Sequence, residues 1–466
     1  MKDGRAMKMK YFVLAPIVAA GLTAAPAAYA EEVMTWDECV SYAIANNPEL
    51  RSSRELIRQS RANVGIARSA YLPQVSASLG VGVSRAESRS ELERLKISKM
   101  KSTSEIESAI RNDLLGRKTT SQSESLSYGI EGRQLVFDGM KTVYDIRAAS
   151  SQVNEARYSH AKTSSQIRLN LRVAFIELLK AQDSIQISKE IAERSKQNLD
   201  LVRMRFRAGR EHRGSLLNAE ANLASARLGV VQAERDLTVA RRGLLKQMGI
   251  DALKPIRAAG KLEYQPHDTE KPEFEAIAAT HPAVLLLKSQ GETARYSEKS
   301  KIAEFFPVIS VTAGADRSKS LLDGMTSVNR SNGLNLSAGV QATMPLFSGG
   351  KSYYNLDKAQ SQTRKVKDDE TSAHQQVVMT LEEYWNSWQN ASDSVAVQRK
   401  FLDAAIERSR ISEAQYSLGL LTFDNWIIIE DSLSQMKKSY LNALANQSVT
   451  EAQWLQARGE TLAYDQ

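Results

Sequence analysis

Val136-Phe137-Asp138-Gly139-Met140-Lys141 returns 210 residues later as Leu346-Phe347-Ser348-Gly349-Gly350-Lys351. A second pair keeps the same offset: Arg205-Phe206-Arg207-Ala208-Gly209 returns as Gln415-Tyr416-Ser417-Leu418-Gly419, and Glu220 and Leu223 match Glu430 and Leu433. Further upstream, Asn47-Pro48 with Leu72-Pro73 matches His281-Pro282 with Phe306-Pro307 at an offset of 234. The offset falls by 24 between Pro73 and Phe137, so the first copy is longer there. The chain is therefore a tandem repeat. A first repeat spans 31–250, a linker with Pro255, Pro266 and Pro272 spans 251–272, and a second repeat spans 273–466.

Each repeat reads in one order. A helix opens at a proline, which the first helical position tolerates. It runs to a second proline, and two strands follow around a polar loop. The second strand ends at the Phe-x-Gly turn, a very long helix runs to Gly209 or Gly419, and a last helix returns. Proline distribution agrees: none lies between Pro73 and Pro255 or after Pro345, and helix interiors exclude proline.

Strands are expected at about 74–85, 126–137, 308–316 and 334–347. Val75, Ala77, Leu79, Val81 and Val83 alternate with Ser76, Ser78, Gly80, Gly82 and Ser84. Leu334, Leu336, Ala338, Val340 and Ala342 alternate with Asn335, Ser337, Gly339, Gln341 and Thr343. Such period-two patterns fit strands with one apolar and one polar face. About 9–11 residues also suffice to cross a bilayer at a tilt. Periodicity alone is equally served by a soluble antiparallel sheet on a core. Small polar residues on the alternate face favour a membrane barrel with a wet lumen, as do the aromatics Tyr71, Phe137, Phe305, Phe306 and Phe347 at one strand end. Four strands are too few to close one, so the barrel would be shared between subunits.

Long helices are expected at about 139–208, 214–248, 349–418 and 422–460. Leu216, Leu223, Val230, Leu237 and Leu244 form a strict heptad, with Ala219, Ala226, Ala233 and Ala240 three residues on. That is a coiled-coil seam with a large residue at one position and alanine at the other. Trp426, Leu433, Tyr440, Gln447 and Trp454 repeat the spacing. A helix from Gly139 to Gly209 would be about 105 Å long at ~1.5 Å per residue. The helices therefore stand as antiparallel hairpins with tips at 209–214 and 419–422. An exported coiled-coil structural or binding protein is the alternative, but it leaves the strands without a use.

The net charge is +8. Lys8-Met9-Lys10, an apolar run from Tyr11 to Ala20 and Ala28-Tyr29-Ala30 read as a secretory signal peptide over 1–30. Lys2, Arg5, Lys8 and Lys10 against Asp3 take three positive charges away, and 8 − 3 leaves about +5 after cleavage. Basic residues interleave with acids along helical faces, which argues against nucleic acid. The single Cys39 can form no intrachain disulfide and reads as a small buried residue. Nothing after the signal is apolar enough for a membrane-spanning helix. There is no phosphate loop, metal-spaced cluster or nucleophile elbow. The expectation is no enzyme, no cofactor and no metal site. Of the histidines, His160 sits at a seam position, where packing explains it.

Tyr71-Leu72-Pro73-Gln74-Val75 opening a strand, Leu135-Val136-Phe137-Asp138-Gly139 closing one, and two Tyr/Phe-x-x-Gly tips followed by Asn218-Ala219-Glu220 and Ile429-Glu430-Asp431 resemble the TolC-like outer-membrane efflux channel family. The resemblance covers nearly all of the chain after the signal. It implies a mainly α protein with a β-barrel part: a homotrimer with a 12-stranded barrel in outer-membrane lipid, an α-helical tunnel in the periplasm and an equatorial belt. It implies a passive exit duct of a tripartite efflux or type I secretion system, coupled to an inner-membrane transporter through a periplasmic adaptor. By that resemblance Phe206, Gly209, Arg210, Ser215, Tyr416, Gly419, Leu420 and Thr422 contact the adaptor.

Two departures stand out. Family members often carry entrance-narrowing acids six and nine positions after the second tip glycine, where this chain has Asn425 and Ile428. Asp424, Ile428 and Asp431 share one helix face. A ring of Asp424 or Asp431 is a candidate periplasmic gate, and exposed or intersubunit carboxylates are the alternative. The loop 86–125 is polar, and in a barrel it projects outside the cell. Ducts of this kind serve drug efflux, metal efflux and protein secretion, and no Met or His cluster here favours metals.

Overall fold

A computed structural model describes residues 31–89, 103–104, 107–108, 118–251, 254–264, 266, 270–320 and 333–462. The signal segment and most of loop 86–125 lie outside the described residues. Each repeat begins with a short helical stretch. In the first, α1 (Trp36–Asn46) starts at a capping box between Thr35 and Glu38, and α2 runs Pro48–Ser69. In the second, α5 (Phe274–Thr280) precedes α6 (Pro282–Ala303). Pro48 and Pro282 each open a helix of 22 residues. The side chain before each proline caps it: Asn47 Oδ1 accepts from Glu49 N–H and His281 Nδ1 from Ala283 N–H. Free N–H groups at a helix start need such partners.

Four long strands form one antiparallel sheet in the order β2-β3-β5-β6: β2 Gln74–Arg89, β3 Lys118–Phe137, β5 Val308–Ser320 and β6 Leu334–Thr343. Its register aligns like with like. Ala77, Ile130, Ala315 and Leu336 form one row across all four strands, and Ser78, Gly129, Asp316 and Asn335 form a row on the opposite face. Asn335 Nδ2 donates to Asp316 Oδ1 across that polar face, 3.0 Å. Side-chain alternation on a pleated strand produces this segregation.

The strand bounds differ from expectation at four ends, one of them β5, which continues to Ser320 rather than 316. β2 continues to Arg89 and β3 starts at Lys118, so ladder pairing extends into the polar loop. β6 stops at Thr343 rather than 347, because Pro345 has no N–H to give to a ladder.

The sheet then feeds the helical hairpins. A pair of left-handed residues turns each chain out of the sheet: Gly139 (φ 70°) and Met140 (φ 71°) in the first repeat, Gly349 (φ 62°) and Gly350 (φ 83°) in the second. At Gly139 a side chain is also sterically barred, since a Cβ there would lie 2.6 Å from Phe306 Cβ. Asp138 Oδ2 accepts from Thr142 N–H at 2.8 Å and starts the helix. Helix α3 (Lys141–Arg207) and helix α7 (Lys351–Ser417) have the same length, 67 residues, or about 100 Å. They return as α4 (Arg213–Met248) and α8 (Phe423–Ala457). Of the expected seam, Ala219, Leu223, Ala233 and Leu244 are buried, as are Trp426, Leu433, Gln447 and Trp454. His160 is buried too, with Nδ1 2.7 Å from Ser53 Oγ.

The linker carries more structure than a joint requires. β4 (Ile256–Ala258) pairs in parallel with β1 (Glu32–Met34). This clasp covers a core of Cys39, Leu50, Leu171, Phe175, Leu178, Leu244 and Met248 about halfway along α3. Burial and the neighbouring Glu38 push the Cys39 thiol up to about 12. A matching core in the second repeat is aromatic, with Trp385 and Trp454 ring centroids 5.2 Å apart beside Phe274 and Leu381. No described helix is long and apolar enough to cross a membrane.

Candidate functional site

Both hairpins reverse by the same device. At the first tip Gly209 (φ 65°) donates its N–H to Phe206 O at 3.0 Å, and Arg210 N–H reaches Arg205 O at 2.9 Å. At the second tip Gly419 (φ 81°) donates to Tyr416 O at 3.0 Å, and Leu420 N–H reaches Gln415 O at 2.9 Å. These nested bonds satisfy the last carbonyls of a helix and need a left-handed residue, which glycine supplies. The returning helices are capped by His212, whose Nδ1 accepts from Ser215 N–H, and by Thr422, whose Oγ1 accepts from Asn425 N–H.

The tips are bolted together within one chain. The Arg205 guanidinium lies 4.5 Å over the Tyr416 ring and donates to Tyr416 O at 2.6 Å. The other ring face stacks on Trp426, with centroids 4.2 Å apart and planes 13° from parallel. Tyr416 Oη donates to Glu211 Oε2 at 2.8 Å. Burial pushes the Tyr416 hydroxyl well above the usual phenol range, and its bond to the Glu211 carboxylate adds to that. For Glu211, burial acts upward, but bonds from Ser215, Tyr416 and the His212 N–H, with Arg205 nearby, hold it below the usual carboxylate range. Leu199, Val202, Ala219, Leu223 and Phe423 complete this core.

Further from the tips, a second tie joins the hairpins. Arg194 on α3 grips both oxygens of Glu430 on α8 and donates to Ser409 Oγ at 2.6 Å and Glu413 Oε2 at 3.3 Å on α7. Ser409 Oγ donates to Glu430 Oε1 at 2.6 Å. Glu430 is 4 % exposed. The hydrogen-bonded Glu430 pushes the Arg194 guanidinium still higher, against the effect of burial.

The expected contact residues divide in two. Phe206, Gly209, Arg210, Gly419, Leu420 and Thr422 are exposed. Tyr416 and Ser215 are buried: one is the ring between Arg205 and Trp426, the other a partner of His212. Of the candidate gate, all four residues, Asp424, Asn425, Ile428 and Asp431, are exposed on α8. Asp431 lines a small cavity with Arg194, Asn198, Asn222 and Glu430, and burial followed by the Glu430 charge pushes its carboxyl up. Arg194, Arg205, Glu211 and Trp426 were not expected as anchors. Trp426 alone had a sequence signal, its heptad position. Among the described residues no group of three or more His, Cys, Asp or Glu could hold a metal.

The family described as "Outer membrane efflux protein" matches residues 39–250 and 275–460. Outer membrane efflux protein BepC of Brucella suis biovar 1 is 23% identical over 428 residues, 90% of this chain and 85% of that one. Outer membrane protein TolC of Vibrio cholerae is 21% identical, with 91% of this chain and 90% of that protein covered. Among solved structures, the CusC transmembrane channel superposes with a TM-score of 0.72 at 17% identity, covering 90% of this chain and 91% of that one.

Proposed function

This chain belongs to the outer membrane efflux protein family, and from that premise we propose that it is a passive exit duct: three copies close a barrel in the outer membrane and a helical tunnel beneath it. It is an outer-membrane channel of an efflux or type I secretion system. The supporting observation is the sheet. Val75, Leu79, Val81, Ile130, Leu336 and Val340 are all more than half exposed on it, in register on one face, while the other face is polar. An apolar surface of that extent needs a cover, and lipid provides one outside a wet lumen. One chain contributes four strands and membrane barrels have about eight or more, so three copies would supply twelve. Helices of about 100 Å would carry the duct across the periplasm to an adaptor and an inner-membrane transporter. Asp424 and Asp431 would line its entrance. A free coiled-coil rod would leave the sheet without a function.

Fractionation tests the reading. The chain should sediment with the outer membrane and run as a trimer in mild detergent. Leu336→Arg, on the lipid face, should cost about 2–4 kcal/mol near the bilayer midplane and lower the trimer yield. Recovery as a soluble periplasmic monomer would overturn the proposal.

A further inference from the structure

The two tips share a backbone but present opposite chemistry. Taking Gly209 and Gly419 as equivalent, Arg207, Arg210 and Arg213 stand where the second tip has Ser417, Leu420 and Phe423. All three arginines are exposed, and no hydrogen bond or ion pair made by their guanidinium groups is found among the described residues. The one acid of the loop does not balance them. Glu211 is turned inward, its side chain 9% exposed, onto Tyr416 Oη and Arg205. Nor does helix stability account for them all. Arg213 is the first residue of α4, a helix with no acid in its first turn, and a cation there faces the positive end of the helix dipole. At the second tip Leu418 and Leu420 are 75% and 76% exposed, and Asp424 sits in the first turn of α8, where the dipole favours it.

The Arg205–Tyr416 contact holds the tips side by side, close enough for one partner to cover both, since a helix with its side chains is ~10–12 Å across. We propose that the adaptor meeting this duct has a divided end: carboxylates opposite Arg207, Arg210 and Arg213, and an apolar patch opposite Leu418 and Leu420. The cationic side would steer and orient the encounter, and the leucines would hold it. This rests on the duct reading and specifies the partner's chemistry.

The test uses the full chain in its own cell, with a benzophenone side chain placed at Arg210 or at Leu420 and the adducts mapped by mass spectrometry. Both should fall on one periplasmic protein, the Arg210 adduct beside Asp or Glu and the Leu420 adduct among apolar residues. With that protein purified, the R207Q/R210Q/R213Q triple variant should bind about tenfold more weakly at low salt, as three exposed charge pairs together would give. It should also lose the salt dependence of the native chain. L420S should weaken binding without changing the salt dependence. Capture at both tips with no salt dependence and no effect of the triple variant would overturn the divided end and leave the duct standing. Capture at neither tip would overturn both. Binding of the chain to phosphatidylethanolamine–phosphatidylglycerol vesicles that is lost in the triple variant, with adaptor capture unchanged, would assign the arginines to lipid and overturn the proposal.

Discussion

The first and second hairpin tips are two solutions to one geometric problem. Each ends a helix of the same length, reverses at a left-handed glycine with the same pair of nested hydrogen bonds, and restarts at a side-chain cap. Beyond the backbone they part. Phe206 at the first tip is partly open, whereas its counterpart Tyr416 is buried between Arg205 and Trp426. Glu220 is exposed and 3.6 Å from Arg203, whereas its counterpart Glu430 is buried in the grip of Arg194. After duplication, the turn geometry is held by φ angles and main-chain bonds that tolerate few residues. The side chains around it were free to divide into an anchored tip and a charged one.

Substitution at matched positions should break the comparison most strongly at Trp426. Trp426→Ala removes a fully buried ring and should cost about 3–5 kcal/mol, read as a lower unfolding midpoint in detergent and faster proteolysis around 417–422. Leu216→Ala, its half-buried counterpart, should cost clearly less. Equal losses would mean that the two tips share one anchor. Next comes the carboxylate pair. Arg194→Met strands Glu430 without a counter-charge and should cost about 3 kcal/mol, while Glu220→Gln at the surface should cost under about 1 kcal/mol. A double-mutant cycle between Arg194 and Glu430 checks that the loss belongs to the pair.

The glycines should behave alike. Gly209→Val and Gly419→Val each force a branched side chain into a left-handed conformation, at about 1–2 kcal/mol, although a Cβ would meet nothing within 4 Å. Trimers should persist and adaptor crosslinking should fall in both variants; unchanged crosslinking and export would show that the tips are misplaced. The smallest effect is a pH dependence confined to the first tip, where Glu211 stands opposite Leu421. A carboxyl held low in the folded state contributes stability above its unfolded pKa and loses it as pH falls through its lowered value. The stability difference between the native chain and Glu211→Gln should therefore close below about pH 4. A difference that persisted there would make the Glu211 contacts independent of charge.

Punctuation made much of this fold legible. Pro48, Pro282, Gly139, Gly209, Gly349 and Gly419 mark element ends because few other residues tolerate those backbone positions. The alternating strands and the alanine seam are local periodicities that a short window reveals. The tip anchors are of another kind. Arg205 meets Tyr416, and Arg194 meets Glu430, across more than 200 residues of chain, and no periodicity encodes which exposed-looking arginine finds which partner. Tyr416 shows the limit: Ser409 and Ser412 precede it at the seven- and four-residue spacing of one helix face, which signals burial, yet the family resemblance puts it among the contact residues. Strand ends were blurred for a similar reason, since a polar extension such as 118–125 reads as loop until its pairing partner is known.

The equal lengths of α3 and α7 act as a matched pair of rulers. One residue inserted in either would advance its tip by ~1.5 Å and rotate it by about 100°, enough to carry Arg205 off the Tyr416 ring. The adjoining hairpin would have to change by the same count for the two ends to finish in phase. Helix length is thus a coupled trait of this duct, and a lineage that spans a wider or narrower periplasm must edit both repeats together.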